Sequence, residues 1–358
     1  MKVLFVYRTK CSSLQNNIYK ITLMKVTGIF ILLIFFIHSP ALAQQQLYEF
    51  SASKYLMGTK FDISAVSTSI DSMKKAMYYS FKEVERIQSV MSSSIDSSEI
   101  YHINEASGLH PVKVSYETYA IIERSINYSK KYNGLFDITI GPITELWGFN
   151  SDNPVSKVPD KNLIDSLVKL VNYKNIVLNP SDTNVYLSVK GMKLDMGGIA
   201  KGYAVDRAAG IMKKWGMKNF FVNGGGDMYV SGYKEGTRKW VVGIKHPRKE
   251  NKLIAELEIS DGAVGTSGDY ERYVIIDGKR YCHIFNTKTG YPVDISQSGT
   301  AIAPTTEEAV ILSKYLFITG AEKYKSENIN IPGMIVDSNG NVTYNEELMK
   351  PYNFRVLK

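Results

Sequence analysis

Hydrophobic side chains recur every three or four positions in four segments of this 358-residue chain, which is the spacing of one helix face. In the first segment a stripe runs from Met73 and Met77 to Ile87 and predicts a helix with one buried side. The second segment ends in Asn133 and Gly134, which are typical residues at a helix C-terminus. The predicted helices are Ser69–Ser92, Tyr116–Tyr132, Ala200–Trp215 and Thr305–Tyr315.

Other segments alternate between apolar and polar residues, which is the period of a half-buried β-strand. Asp277 and Gly278 are suited to the centre of a hairpin turn between two of these segments. Because strands and helices do not alternate strictly, the pattern predicts an α+β fold of mixed sheets with flanking helices. The absence of a repeat of about 20–50 residues disfavours a solenoid or propeller. The predicted strands are Leu47–Val66, Val185–Leu194, Trp240–Ile244, Leu253–Ile259, Tyr273–Asp277 and Tyr281–Phe285.

The first 43 residues have the pattern of an export leader. Lys25 supplies a short positive region, Val26–Ile37 is almost wholly apolar, and the residues ending at Ala43 fit the small-x-small cleavage pattern. We therefore expect translation to start at Met24 and cleavage to follow Ala43. Because the apolar run is shorter than the ~20 residues of a membrane span, a leader retained as an inner-membrane anchor is the alternative. Either outcome places the protein outside the cytoplasm, in the periplasm or on the membrane facing it.

Loss of this leader changes the charge and cysteine content. Residues 1–43 contain five lysines and arginines and no acid, so their removal lowers the formal net charge from +8 to +3. No basic cluster remains in residues 44–358, and nucleic acid is therefore not an expected partner. Cys282 becomes the single cysteine, which excludes an internal disulfide. The remaining length can bury a core of its own, as one large domain or two lobes.

The segment Leu194–Asp206 reads LDMGGIAKGYAVD and lies between a predicted strand and a predicted helix. It places Asp195, a glycine pair and Lys201 within a few residues of one another. Glycines before a helix N-terminus expose backbone N–H groups, which bind anions such as phosphate or diphosphate. The alternative is an ordinary strand-to-helix turn with a surface salt bridge between Asp195 and Lys201.

Five segments have the polar and glycine content of site loops, and their scatter along the chain suggests one site built from many loops. Three consecutive glycines, Gly224–Gly226, are hard to explain by packing alone and favour a ligand site over a tight strand exit. His283 lies in a polar motif and could act as an acid or base near neutral pH. Trp147 and Phe149 are expected to be core residues. The five segments are Met57–Thr59, Gly134–Phe149, Leu194–Lys201, Asn223–Asp227 and Thr266–Gly290.

Several familiar enzyme signatures are missing from the sequence. It has no histidine pair at the spacing of zinc ligands, which disfavours a zinc site. It also has neither a GxSxG nucleophile elbow nor a Walker loop, which disfavours the commonest hydrolases and NTPases.

Taken in order, these segments resemble the ApbE family of FAD:protein FMN transferases, also known as thiamine biosynthesis lipoproteins. The resemblance runs from about Tyr48 to Tyr324. It implies an ApbE-like fold for residues 44–358 as a single domain. It also implies transfer of FMN from FAD to a threonine or serine hydroxyl of an acceptor protein outside the cytoplasm, with magnesium and with release of AMP. The motifs are MGT, the segment Met91–Asn104, FDITIGPITELWGF, LDMGGIAKGYAVDRAA, VNGGGD, TSGDYERY and HIFNTKTGYPV.

The resemblance also assigns roles to individual residues. His283 would be the base that deprotonates the acceptor hydroxyl, and the backbone carbonyl of Gly198 would be the first magnesium ligand. Lys201 is suited to the diphosphate charge. The positions implied to contact FAD are Met57, Leu135, Phe136, Asp137, Asp195, Lys201 and Ile284.

The sequence departs from the family at the two other magnesium ligands. The family has an Asp and, four residues later, a Thr, where this chain has Val310 and Lys314. Neither side chain can bind magnesium, which prefers oxygen ligands. One hypothesis is that the Lys314 ammonium replaces the metal as a built-in cation, and the alternative is that Lys314 points to solvent beside a degraded site.

This departure leaves three functions open. The chain is expected to be a flavin transferase, and the alternatives are a non-catalytic exported FAD-binding protein and an FAD pyrophosphate hydrolase that uses water as the acceptor.

Overall fold

The computed structural model of the protein describes residues 4–6, 46–149, 154–234 and 237–357. Most of the predicted leader, including Met24 and Ala43, lies outside the described residues, so its role stays a prediction. None of the described helices combines the length and apolar character needed to cross a membrane. The described α-helices are α1 (Ile70–Met91), α2 (Glu99–Glu105), α3 (Tyr116–Lys131), α4 (Gly141–Trp147), α5 (Lys161–Leu167), α6 (Ala200–Lys214), α7 (Thr306–Ser326) and α8 (Glu346–Met349).

The β-strands of the described chain pair antiparallel in four sheets, the largest with the order β1-β2-β3-β7-β8-β11-β14-β15-β16. The smaller sheets are β17-β10-β9, β4-β6-β5 and the hairpin β12-β13. The strands are β1 (Leu4–Val6), β2 (Tyr48–Leu56), β3 (Thr59–Ser67), β4 (Val112–Lys113), β5 (Ile176–Asn179), β6 (Asn184–Leu187), β7 (Asn219–Gly224), β8 (Asp227–Ser231), β9 (Trp240–Lys245), β10 (Leu253–Ile259), β11 (Gly262–Gly268), β12 (Tyr273–Ile276), β13 (Lys279–Cys282), β14 (Ser296–Ala303), β15 (Gly333–Asp337), β16 (Val342–Tyr344) and β17 (Arg355–Val356).

The large sheet is the middle layer of the fold, because successive residues of its strands face opposite sides. Ala301 packs in the core beneath helices α1, α6 and α7, whereas its neighbour Ile302 packs in a second core against β9 and β10. Ala65 and Val66 divide in the same way between the two cores. A sheet covered on one face by helices and on the other by a small sheet agrees with the predicted α+β class.

Two of the helices that cover the large sheet, α6 and α7, are joined near the N-terminus of α7. The carboxylate of Asp206 accepts hydrogen bonds from the N–H groups of Thr306 at 2.7 Å and Glu307 at 2.9 Å. Gly202 permits the close approach, since a Cβ added there would lie 2.8 Å from the carbonyl oxygen of Thr306. The geometry of α6 relative to α7 is therefore fixed at this point.

The predicted helices α1, α3 and α6 are confirmed to within a residue or two at their ends. The Ser69 hydroxyl caps α1, and the predicted stripe from Met73 to Ile87 is buried. Asn133 and Gly134 follow α3 with positive φ, as expected of a helix stop. The predicted turn at Asp277 and Gly278 is also confirmed.

Four predicted elements differ from the structure. The predicted strand Leu47–Val66 is a hairpin, because Met57 and Gly58 both have positive φ and turn β2 into β3. The strand predicted to reach Phe285 ends at Cys282, which leaves His283 in the following loop. Helix α7 continues beyond Tyr315 and, after a kink at Gly320, reaches Ser326. The run predicted as a strand from Val185 to Leu194 contains only the end of β6.

Candidate functional site

The predicted site segments around Asp195 and Asp137 lie side by side. The N–H of Asp195 donates to the carbonyl oxygen of Ile138 at 2.7 Å, and the N–H of Gly141 donates to that of Lys193 at 3.2 Å. Ile140 and Lys193 form a parallel bridge between these bonds. The loop after α3 and the segment before the glycine pair are therefore one short ribbon, although they are distant in sequence.

Asn104, at the end of α2, fixes the backbone immediately before Asp195. Its side-chain oxygen accepts from the N–H of Leu194 at 2.6 Å, and its Nδ2 donates to the Leu194 carbonyl at 3.0 Å. Asn104 is buried, so this double hydrogen bond is protected from water. Asn104 is thus a positioning residue, and the segment Met91–Asn104 marks the family without indicating which partner Asn104 holds.

The glycine pair itself forms a short turn between Asp195 and α6. Oδ1 of Asp195 accepts from the N–H of Gly197 at 2.8 Å and caps a 3-10 turn over Met196–Gly198. Helix α6 follows at once without a side-chain cap, and Lys201 lies in its first turn. The predicted arrangement of glycines before a helix N-terminus is therefore confirmed, and such an end attracts anions.

Lys314 lies against this glycine turn. A Cβ added to Gly198 would lie 3.6 Å from Cε of Lys314 and 3.0 Å from Cε2 of Phe136, so the three residues are in close contact. Burial lowers the pKa of Lys314 to about 8, an effect that Asp227 and Asp195 oppose. The Lys314 side chain therefore contacts the glycine turn, the arrangement that the hypothesis of a built-in cation requires.

Asp227 is a buried carboxylate at the start of β8, directly after the two residues Gly225 and Gly226 that join β7 to β8. It accepts a hydrogen bond from the N–H of Thr266 at 3.3 Å. Burial raises its pKa, and the charges of Lys201 and Lys314 act in the opposite direction. The sequence placed Asp227 in a candidate loop without a role, and the structure makes it the carboxylate that both lysines face.

His283 is held by the backbone of Arg272. The N–H of His283 donates to the Arg272 carbonyl at 3.0 Å, and Nδ1 of the ring lies 3.2 Å from the same oxygen. Burial lowers the pKa of His283 to about 3, and the charges of Lys201 and Lys314 add to this effect. The ring is therefore neutral near pH 7, and with Nδ1 donating to Arg272 its Nε2 is an acceptor.

The Met57–Gly58 turn reaches the same place. A Cβ added at Gly58 would lie 2.7 Å from Nη2 of Arg272, so the Arg272 side chain covers this turn while its carbonyl holds His283. The N–H of Met57 donates to the side-chain oxygen of Gln88 on α1. Arg272 therefore links the Met57–Gly58 turn to the loop that carries His283.

The three residues Leu135–Asp137 have different structural roles. Phe136 is buried and lies against Gly198. Both oxygens of Asp137 accept hydrogen bonds within the protein, from Thr139 at 2.7 and 2.9 Å and from the N–H of Tyr173 at 2.8 Å. Burial raises the pKa of Asp137, and these bonds oppose the rise. Asp137 therefore shapes the loop, and Leu135 is half-buried at its beginning.

The loop after His283 is held by core contacts. Ile284 is buried with Cys282 and Phe317, and its carbonyl accepts from the N–H of Val293 at 2.8 Å. Trp147 is also buried and donates from Nε1 to the carbonyl of Gly290 at 3.1 Å, which confirms the core role predicted for it. Because its side chain is packed in the core, Ile284 mainly fixes the backbone next to His283.

The positions expected to hold magnesium do not fit a divalent cation. Val310 is apolar and 1% exposed, and the cationic side chain of Lys314 approaches Gly198. In the described part of the chain, no three His, Cys, Asp or Glu side chains group as metal ligands. Magnesium takes oxygen ligands, and a neighbouring ammonium repels it.

Comparison with known proteins agrees with this geometry. Residues 57–329 match the model of the ApbE family. An FAD:protein FMN transferase of Klebsiella pneumoniae is 33% identical over 247 residues, which is 68% of this chain and 75% of that protein. The corresponding protein of Escherichia coli K12 is 30% identical over 240 residues, 66% of this chain and 68% of its own length.

Solved structures show the same fold. The ApbE protein of Thermotoga maritima superposes with a TM-score of 0.78 at 33% identity, covering 84% of this chain and 98% of that one. The flavin transferase ApbE of Vibrio cholerae superposes with a TM-score of 0.76 at 24% identity, covering 86% and 100%. The matched residues include the glycine turn, both site lysines and His283, and the chain belongs to the ApbE family.

Proposed function

We propose that the protein transfers FMN from FAD to an acceptor protein and releases AMP. One observation carries this proposal: two lysines, an uncapped helix N-terminus and a neutral histidine converge beside one glycine turn. A diphosphate needs the positive groups, and transfer to a hydroxyl needs a base. The names of the similar proteins from Klebsiella and Escherichia coli support the same reaction.

Binding of FAD follows from the charges of the site. Lys201 in the first turn of α6, with the N–H groups of that helix end, attracts the diphosphate. Phe136, buried beside Gly198, lines the glycine turn. Met57, Leu135, Asp195 and Ile284 border the same space or hold the loops around it, and we assign them to FAD binding on this basis.

Transfer requires one bond to form and one to break at the FMN phosphorus. The acceptor hydroxyl oxygen bonds to this phosphorus, the bond to the bridging oxygen breaks, and AMP leaves with the electron pair. Nε2 of His283 takes the hydroxyl proton, which a neutral ring can do. The negative diphosphate opposes the effect of the two lysines and thereby raises the basicity of His283 when FAD is bound.

We assign the acceptor group to a threonine or serine side chain, because a hydroxyl is the nucleophile that a histidine base activates. No step is assigned to magnesium, since Val310 and Lys314 do not provide its ligands. The leader pattern supports action outside the cytoplasm, either in the periplasm or attached to the inner membrane. N-terminal sequencing of the protein from an exporting host is expected to begin at Gln44, and an uncleaved leader supports the anchored form instead.

The reaction is tested with purified protein, FAD and the acceptor protein of a related flavin transferase, with that acceptor's threonine changed to alanine as the control. Covalent flavin fluorescence on the acceptor, lost with the alanine form, is the expected result. Free FMN and AMP without labelled acceptor would indicate an FAD pyrophosphate hydrolase. Bound but unchanged FAD would indicate a non-catalytic flavin-binding protein.

A further inference from the structure

Close packing of α7 on the large sheet fixes the helix backbone beside Lys314. A Cβ added at Gly265 would lie 2.6 Å from the carbonyl carbon of Ala309, and one at Gly299 would lie 2.7 Å from the carbonyl oxygen of Ser313. Ser313 also hydrogen-bonds to Ser267 of β11 at 2.9 Å. Strands β11 and β14, through Gly265 and Gly299, therefore fix the helix at the residue immediately before Lys314.

The charges that face Lys314 come from three separate elements. Asp227 faces it from β8, Asp195 from the loop before the 3-10 turn, and Lys201 from α6. Lys314 in turn acts on His283, in the loop after β13. In the protein without FAD, the buried carboxylate of Asp227 stabilises the positive charges of Lys201 and Lys314. One carboxylate balances one of the two lysines, so the second positive charge is available to a ligand.

The same arrangement disfavours a metal at this point. Val310 precedes Lys314 by four residues, so the two lie on the same face of α7, and neither offers an oxygen. The Lys314 side chain lies close to Gly198, the residue whose carbonyl was expected to be a metal ligand. An ammonium group donates up to three hydrogen bonds to phosphate oxygens and needs no ligands of its own.

We propose that Lys314 and Lys201 form a two-lysine diphosphate site in which Lys314 takes the place of a divalent cation, so that FAD binds without metal. This inference rests on the proposed function, because it concerns the same FAD site. It assigns a binding role to Lys314 and a supporting role to Asp227, which attracts the ammonium electrostatically.

The inference is tested by fluorescence titration of the protein with FAD, in EDTA and in magnesium chloride. We expect the wild-type dissociation constant to be the same within about twofold in both buffers, because the cation is part of the chain. Lys314→Thr should weaken binding in EDTA at least tenfold, about the loss expected for a charged hydrogen bond. Lys325→Thr, a change at an exposed lysine of α7 beyond its kink at Gly320, is the control and should bind as wild type.

Two further variants keep the test decisive if Lys314→Thr folds poorly, which circular dichroism would reveal. Lys314→Arg keeps the charge and should retain metal-independent binding. Val310→Asp combined with Lys314→Thr places two oxygens one helical turn apart and should make FAD binding magnesium-dependent.

The possible failures are distinguishable from one another. Wild-type binding that tightens tenfold or more with magnesium would overturn this inference and leave the transferase proposal intact. Unchanged binding by a folded Lys314→Thr variant would do the same. No FAD binding by the wild type in either buffer would overturn both proposals.

Discussion

Two clusters of charged side chains differ in how their charges are compensated. In the first, on the surface where α1, α3 and α6 meet, Arg86 donates to Glu83 at 2.9 Å and to Glu117 at 2.8 Å. Arg207 donates to Glu83 at 3.0 Å, and the hydroxyl of Tyr203 donates to Glu117 at 2.6 Å. Each carboxylate has side-chain donors in direct contact, and the network is closed.

In the second cluster, at the site, the buried carboxylate of Asp227 accepts a hydrogen bond from the backbone N–H of Thr266. The lysines Lys201 and Lys314 act on Asp227 through electrostatic attraction. Charges neutralised by direct side-chain pairs hold elements together, whereas cations placed around a backbone-held carboxylate are suited to receive an anion.

The largest expected effect comes from removing the base of the second cluster. His283→Gln should lower the rate of FMN transfer about 100- to 10,000-fold, the usual contribution of a general base, with FAD binding retained. The measurement is acceptor labelling against time, with His102→Gln, a change at an exposed histidine of α2, as control. A His283→Gln rate within a few-fold of wild type would remove His283 from the reaction.

Removal of one site cation should have the next largest effect. Lys201→Met is expected to weaken FAD binding about 10- to 100-fold, through loss of charged hydrogen bonds to the diphosphate. Because the charge of Lys201 helps to lower the pKa of His283, the variant should also raise that pKa, which NMR titration of the ring can follow. Lys214→Met, at an exposed position of the same helix, is the control, and an unchanged His283 pKa in Lys201→Met would contradict the proposed geometry.

The surface cluster should affect stability and leave binding unchanged. Hydrogen bonds from Arg86 lower the pKa of Glu83, and the pKa of Glu117 is lowered by Arg86 and Tyr203 although burial opposes this. Because both folded pKa values lie below the ordinary 4.5, the stabilisation is present above that pH and is lost as pH falls below it.

Arg86→Met should therefore cost about 0.5–1 kcal/mol at pH 7 and less below pH ~4. Urea unfolding at several pH values measures this loss, and FAD titration is the control. Weaker FAD binding by Arg86→Met would show that the two clusters are not independent.

The smallest effect is expected at Cys282, which adjoins His283 but belongs to neither cluster. Its side chain is 1% exposed, and burial raises the pKa of the thiol to about 12. Because the thiolate is the reactive form, the folded protein should resist iodoacetamide at pH 8 and react only after unfolding in urea. Mass spectrometry measures the modification, and fast alkylation of the native protein would show that this loop opens.

The sequence predicts elements well where the signal is local. Helix α1 was predictable because its buried stripe and its Ser69 cap both lie within the helix and its first flanking residue. The hairpin at Met57 was not, because a non-glycine residue with positive φ is uncommon and the alternation on both sides reads as one strand.

The candidate site was predictable only in part, for the same reason. The glycine turn and Lys201 are neighbours in sequence, so their joint role could be inferred from spacing. Asn104 and Arg272 act through contacts with Leu194 and His283, partners that spacing alone could not identify. The direction of the Lys314 side chain depends on how α7 packs against the glycine turn, which is a long-range property of the fold.

The Asp206 link between α6 and α7 has a consequence for how this protein can be altered. Lys201 and Lys314 are carried by two helices that this carboxylate fastens together, whereas the turn between β9 and β10 belongs to a separate sheet. A reporter domain inserted into the exposed turn at Asn251 should leave the affinity for FAD unchanged. The same is expected when new chain termini are opened at this turn. The small sheet β17-β10-β9 is thus the part of the fold that should best tolerate insertions.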